Sequence, residues 1–167
     1  MKTRAENLWE TLKTTNDWIK VSDAKAVAII SLQSVFLGFL LSQSIDEKFE
    51  QANWWFSYTI LVCAIILNGI SIAYSFCCVN PRLRLIGGIS PIYFGTIAEK
   101  FNNSAAYKRF FSEKFDSESE IEEELAGQVY VNSTIAWRKF KNVAYSIRSL
   151  VASLALWGVY ILVLIFT

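Results

Sequence analysis

Three long stretches of the chain contain no charged side chain. Residues 26–45, 51–81 and 149–167 hold no Asp, Glu, Lys or Arg over 20, 31 and 19 consecutive positions. An α-helix rises about 1.5 Å per residue, so about 20 residues cover the ~30 Å hydrocarbon core of a bilayer. Each stretch therefore predicts a helix that spans a membrane.

The segment before the first stretch and the segment before the third both carry a helical period. Residues 1–25 place apolar side chains on one side of a helix that leads into the first span. From Ile121 onward, apolar residues recur at i+3 and i+4 up to the third span, and no proline interrupts them. This pattern predicts one amphipathic helix of about 48 residues that continues into the membrane.

Shorter helices are predicted between the second span and this long helix. Ser90 as N-cap, with Pro91 at the first helical position, predicts the start of one helix. Residues 102–104 end it, and a second short helix carries several aromatic side chains. The turn at residues 116–119 offers serine caps for the long helix, whose glutamate-rich first turns complement the positive end of the helix dipole.

The distribution of charge predicts the orientation in the membrane. The loop between the first two spans contains Asp46, Glu47, Lys48 and Glu50, whereas cations dominate at the other ends of the spans. These cations are Lys20, Lys25, Arg82, Arg84, Arg138, Lys139, Lys141 and Arg148. Because Lys and Arg mark the cytoplasmic side, we expect a multi-pass membrane protein with its N-terminus in the cytoplasm and its C-terminus outside.

Together these patterns predict an all-α integral membrane protein with three transmembrane helices and a cytoplasmic helical region. The predicted segments are a cytoplasmic N-terminal helix (1–25), the first span (26–45), an outer hairpin (46–53), the second span (54–78), the cytoplasmic helical region (82–148) and the third span (149–166).

Composition narrows the functional classes. Hydrophobic residues make up 53% of the 167 residues and charged residues only 19%, which excludes a soluble single-domain enzyme. The net charge of +1 argues against a nucleic-acid binder. The chain contains no histidine, which removes the commonest general base and metal ligand. We therefore expect no catalytic residues, no metal and no cofactor.

Polar residues inside the spans are expected to contact other helices or water instead of lipid. Gln33 and Ser34 lie in the first span, and Asn68 and Ser71 lie in the second. Interhelical hydrogen bonds and a water-lined surface both account for such residues. Since three spans are too few to enclose a wide pore, a conducting state would need several copies, and we expect a homo-oligomer.

Two charged residues stand at the entry of the first span. Asp23 and Lys25 are two positions apart, so they do not face each other on a helix. Asp23 is a candidate for a contact with Arg138 or Lys139 that is released on activation, and solvation at the membrane interface is the alternative.

Three segments, in this order and spacing relative to the spans, resemble a known family. They are WIKVSDAKA at residues 18–26, ISPIYFGTIA at residues 89–98, and LAGQVYVNS at residues 125–133 followed by IAWRKF at residues 135–140. They resemble the transmembrane effectors of Pycsar, a bacterial anti-phage system that signals through cyclic pyrimidine nucleotides. The resemblance extends over nearly the whole chain.

The resemblance implies a function in the lipid bilayer of the bacterial inner membrane. An effector of this kind stays inactive until a phage-triggered cyclase makes cyclic UMP or cyclic CMP, and it then disrupts the membrane of the infected cell. A constitutive small oligomeric channel, or a scaffold that recruits a cytoplasmic partner to the membrane, is the alternative.

Such a ligand combines a phosphate charge with a base that has donor and acceptor edges. It is bound best by Arg, by an aromatic face and by an amide or hydroxyl. The candidates are Arg82, Arg84, Tyr130, Asn132, Trp137 and Arg138. Asp23, Lys25, Gln33 and Asn68 are candidates for gating or for contacts within the bundle.

Overall fold

The computed structural model describes residues 2–43, 54–80, 90–115 and 117–166. All regular secondary structure within these ranges is helical. The helices are α1 (Arg4–Gln43), α2 (Trp54–Val79), α3 (Phe94–Lys100), α4 (Ser104–Lys114) and α5 (Glu118–Phe166). Three of them, α1, α2 and α5, contain segments long and apolar enough to cross a membrane. The all-α fold with three spans is therefore confirmed, and α5 continues without a break into the third span.

Side-chain caps determine where several helices begin. At the start of α1, the Thr3 hydroxyl accepts from the Glu6 backbone N–H at 3.2 Å, and the Glu6 carboxylate accepts from the Thr3 N–H at 2.9 Å. This reciprocal pair is a capping box. The Asn103 side chain caps α4 by accepting from Ala106 N–H at 2.8 Å. Ser117 caps α5 as predicted, because its hydroxyl accepts from the Glu120 N–H at 3.4 Å.

The predicted helix start at Ser90 is wrong. Helix α3 begins at Phe94. The Ser90 hydroxyl accepts instead from the Ile92 N–H at 3.3 Å and from the Gln128 amide of α5 at 2.9 Å. The Pro91 carbonyl accepts from the Tyr107 hydroxyl of α4 at 2.9 Å. These bonds to two other helices hold Ser90 and Pro91 in an irregular conformation ahead of α3.

The chain forms two compact units that share helices α1 and α5. The head unit consists of Met1–Val21 and Pro81–Trp137, and the span unit consists of Ser22–Asn80 and Arg138–Thr167. The span unit holds the apolar parts of α1 and α5 together with α2, whereas the head unit holds α3 and α4. The predicted outer hairpin, residues 46–53, lies outside the described residues.

Candidate functional site

The buried face of α2 in the span unit is mostly polar or small. Its buried residues recur at steps of three, four and seven, which is the spacing of a helix packed in a left-handed bundle. They are Ser57, Ala64, Asn68, Ser71, Ser75 and Cys78. The opposite face exposes large apolar side chains such as Phe56, Ile66 and Phe76. This helix therefore turns its polar residues inward, as expected when the surrounding medium is lipid.

A cluster of three serines joins α2 to α5 in the middle of this face. The Ser71 hydroxyl donates to the Ser146 carbonyl at 2.7 Å, and the Ser146 hydroxyl donates to the Ser71 carbonyl at 2.9 Å. The hydroxyls of Ser75 and Ser146 also lie 2.7 Å apart. Farther along α5, the Ser153 hydroxyl donates to the Ala64 carbonyl at 2.8 Å. Because the side chains are small, these bonds form between closely packed backbones.

An ion pair joins α1, α2 and α5 at one end of the bundle. The Lys139 ammonium donates to the Asp23 carboxylate and, at 2.7 Å, to the Cys78 carbonyl near the end of α2. The Lys139 side chain is only 14% exposed and that of Asp23 37%. The Cys78 thiol donates to the Ser22 carbonyl at 3.7 Å. Lys139 thus neutralises Asp23 and also satisfies a carbonyl that helix α2 leaves unpaired.

Of the two cations proposed as partners of Asp23, the structure selects Lys139. Arg138 is exposed on α5. Lys25 is exposed as well, and its ammonium lies 5.8 Å from the centroid of the Phe140 ring. The release of the contact on activation stays a prediction.

Two amide side chains are buried in the span unit without a hydrogen-bond partner among the described residues. Gln33 of α1 is fully buried and Asn68 of α2 is 3% exposed, yet neither the nitrogen nor the oxygen of either amide is bonded. Ser22 of α1 lies beside Cys78, and Phe36 packs against the cluster that contains Ala64. Because α1 and α2 run in opposite directions between these contacts, Gln33 and Asn68 lie at the same level of the bundle.

The head unit contains an apolar cavity of about 620 Å³. Its walls come from α1, α3, α4, α5 and the irregular segment before α3. They include the rings of Trp9, Tyr107, Phe111 and Phe115, and Glu6 is the charged residue among the lining residues of the described ranges. The volume suits a small organic molecule, but a carboxylate in the wall disfavours an anionic group there.

Of the residues proposed to bind a nucleotide, those that the structure describes do not line this cavity. Tyr130 and Trp137 are 74% and 64% exposed, and their spacing of seven residues puts them on one face of α5. The Asn132 amide instead donates to the Asn16 side chain of α1 at 2.8 Å. Arg82 and Arg84 lie outside the described residues. The role of these residues in binding stays a prediction.

Other ionic contacts of the head unit lie at its surface. Lys2 donates to the Glu10 carboxylate at 2.5 Å, and this hydrogen bond lowers the pKa of Glu10. Arg109 donates to Glu113 at 2.8 Å, and this hydrogen bond raises the pKa of Arg109. Exposed pairs of this kind contribute little to stability. In the part of the chain that the structure describes, no group of three His, Cys, Asp or Glu side chains is placed to hold a metal ion.

Sequence reasoning identified Gln33, Asn68 and Ser71 but missed other buried polar residues of the bundle, among them three serines of the contact between α2 and α5. These are Ser75, Ser146 and Ser153, all of which are fully buried. Their spacing carries the signal, since Ser57, Ala64, Ser71 and Cys78 recur every seven residues with Asn68 and Ser75 between them. A seven-residue repeat of small and polar residues inside an apolar stretch marks the helix-packing face.

The chain is similar to known proteins over most of its length. The Pycsar effector protein domain matches residues 7–165. The chain is 32% identical over 126 residues to the Pycsar effector protein SaPycTM of Staphylococcus aureus, covering 75% of this chain and 73% of that protein. No solved structure matches it. The chain therefore belongs to the Pycsar effector family, and it is a membrane-spanning effector of anti-phage defence.

Proposed function

We propose that this protein permeabilises the bacterial inner membrane when it senses a cyclic pyrimidine nucleotide, either cyclic UMP or cyclic CMP. The observation that carries the proposal is the family match over residues 7–165, which includes both the head unit and the three span helices. The described residues form helices, three of which can cross a membrane, so we propose that the protein acts by changing its own arrangement in the bilayer. We therefore propose a mechanism that involves no catalysis.

The head unit is the proposed sensor, because it contains most of the residues proposed to bind the nucleotide. Tyr130 and Trp137 offer two exposed rings on one face of α5, on which a pyrimidine base can stack. The phosphate requires a cation, and Arg82, Arg84 and Arg138 are the candidates that the sequence provides. The apolar cavity is a poor match for the phosphate because Glu6 contributes to its wall.

Transmission to the membrane is proposed to run through α5. This helix belongs to both units, so a tilt or rotation imposed on residues 118–137 is passed on to residues 138–166. The contact between Lys139 and Asp23 lies just beyond the junction, and we propose that activation releases it. Several copies then assemble, because three helices cannot line a wide opening.

Dye release from liposomes tests this proposal. The purified protein is reconstituted into vesicles that contain a self-quenched dye, and cyclic UMP, cyclic CMP, cyclic AMP and cyclic GMP are added one at a time. We expect release with at least one pyrimidine nucleotide and none with the purine nucleotides. Dye release at the same rate without nucleotide and with each of the four nucleotides would indicate a constitutive channel. Absence of release under all conditions would favour a scaffold.

The proposed orientation has its own test. A periplasm-dependent reporter fused at the C-terminus is expected to be active, whereas the same reporter inserted beside Asn103, in the exposed turn before α4, is expected to be inactive. The opposite pattern would place the head unit outside the cell, where a nucleotide made in the cytoplasm could not reach it.

A further inference from the structure

Polar groups line the interior of the span unit from one end to the other. We call this set the polar seam. Its members are Ser57, Trp157, Ser153, Gln33, Asn68, Ser71, Ser146, Ser75, Asp23 and Lys139. Along α2 the seam extends from Ser57 to the level of Cys78, which corresponds to about 32 Å at 1.5 Å per residue. The hydrocarbon core of a bilayer is ~30 Å thick, so the seam is long enough to cross it.

Helix packing explains one part of the seam. The Ser71, Ser75 and Ser146 hydroxyls bond to one another and to backbone carbonyls of the facing helix. Such bonds hold transmembrane helices together, and the small side chains let the helices approach closely. These serines therefore need no ligand to account for them.

Helix packing does not explain the two amides. Each brings a carbonyl oxygen and an NH₂ group into the bundle, and all of these groups lack a partner among the described residues. A buried polar group without a hydrogen bond is destabilising, and it is more so in a membrane. Leucine has a comparable number of side-chain heavy atoms and carries no polar group that needs a partner. The Ser57 hydroxyl and the Trp157 indole N–H, nearer the other end of the seam, also have no hydrogen-bond partner within the described part of the chain.

We infer that Gln33 and Asn68 bind water inside the bundle, and that the polar seam becomes the surface along which water and small solutes cross the membrane in the active state. The second half of this inference rests on the proposed function. An amide binds water through both its donor and its acceptor, so each of the two amides can hold a water molecule inside the bundle. The serine hydroxyls continue the polar surface toward Lys139 and Asp23.

The water-binding half is tested on the protein in bilayers without any nucleotide. Water-edited solid-state NMR detects magnetisation transfer from bound water to side-chain NH₂ groups, and the Gln33→Leu and Asn68→Leu variants assign the two signals. We expect transfer to both amides at short mixing times. If both amides receive magnetisation no faster than the lipid-embedded backbone, the water-binding site is refuted.

The permeation half is tested by dye release from the double variant Gln33→Leu/Asn68→Leu. The matched control is Val35→Leu/Ile66→Leu, which changes side chains of the same two helices that are 74% and 55% exposed. We expect nucleotide-triggered release to fall by about tenfold or more in the seam variant and to stay at the parental rate in the control. The thermal unfolding midpoint of the seam variant in detergent should be equal to or higher than that of the parent.

Two results of this comparison would overturn the permeation half. Release by the seam variant at the parental rate would show that solutes cross elsewhere. Loss of release together with a lowered unfolding midpoint would show that the amides hold the bundle together. If the parent itself releases no dye with any nucleotide, the proposed function fails and the permeation half with it, while the NMR measurement still decides whether the seam binds water.

Discussion

The two units of this protein differ in how their side chains are arranged. The head unit gathers aromatic rings such as Trp9, Phe111 and Phe115 around an apolar cavity. The buried positions of the span unit are mostly serines, alanines and two amides, with a few larger residues such as Trp157 and Tyr160, and many of its large apolar side chains are exposed. In water, removing apolar surface from the solvent drives folding. In lipid that driving force between helices is absent, so close packing and polar contacts remain to hold them together.

The difference is clearest on α5, which contributes to both interiors. Its buried positions include Leu125 in the head unit and Leu150 in the span unit, at 4% and 8% exposure. One helix thus has a buried leucine in a unit that folds in water and another in a unit that folds in lipid.

The sharpest way to test this contrast is to remove equal volumes from the two interiors. Leu125→Ala is expected to destabilise the protein by about 3 kcal/mol. The removed atoms no longer contribute the free energy of transfer from water to the interior, and they no longer pack against their neighbours. Leu150→Ala is expected to cost only about 1 kcal/mol, because the alternative to burial is contact with lipid. Titration with SDS from mixed micelles, followed by near-ultraviolet circular dichroism, gives both values. Equal losses would contradict the contrast.

Breaking the ion pair of the span unit should have the next largest effect. Lys139→Met leaves the Asp23 carboxylate and the Cys78 carbonyl without their donor. We expect the free energy of unfolding to fall by about 2 kcal/mol. The loss is smaller than for a fully buried ion pair because Asp23 is partly exposed. The double variant Asp23→Asn/Lys139→Met should be more stable than Lys139→Met alone, as measured in the same titration. A double variant that is less stable than the single one would show that Asp23 does not depend on Lys139.

The serine cluster should give the smallest effect. Ser146→Ala removes the hydroxyl that bonds to Ser71 and Ser75, and we expect a loss of about 0.6 kcal/mol, the average for hydrogen bonds between membrane helices. Ser133→Ala, at an exposed position of the same helix, is the control and should not change stability. A loss of several kcal/mol for Ser146→Ala would mean that polar bonding, and not close packing, dominates the interior.

Most of the fold could be predicted from sequence because its signals are long and uninterrupted. Three uncharged stretches indicate the spans, and the unbroken period after Ile121 predicts that α5 enters the membrane. The start of α3 could not be predicted, since Ser90 and Pro91 form a standard helix-start signal. Tertiary hydrogen bonds from Tyr107 and Gln128 override that signal. The sequence around Ser90 and Pro91 does not indicate these bonds.

The candidate site was predicted in part. Asp23 was expected to meet a cation of α5, but its spacing from Arg138 and Lys139 in sequence could not select between the two. Residues next to each other in sequence point about 100° apart on a helix, so only one of the two cations can face Asp23. The rotational position of α5 determines which one it is. The unpaired state of Gln33 and Asn68 could not be foreseen, since a polar residue in a span ordinarily finds a partner.

The central claim is that the head unit senses the nucleotide and that α5 carries the signal into the span unit. Three glycines inserted between Trp137 and Arg138, at the junction of the two units, weaken the helix by about 1 kcal/mol each and interrupt its rigidity. The same glycines inserted between Asn102 and Asn103, in the exposed turn before α4, are the control.

The decisive measurement is nucleotide-triggered dye release by these two variants and the parent, with nucleotide binding followed by calorimetry in the same vesicles. The account predicts that all three proteins bind cyclic UMP or cyclic CMP with similar affinity, and that only the junction variant fails to release dye. Release at the parental rate by a junction variant that binds the nucleotide would contradict it.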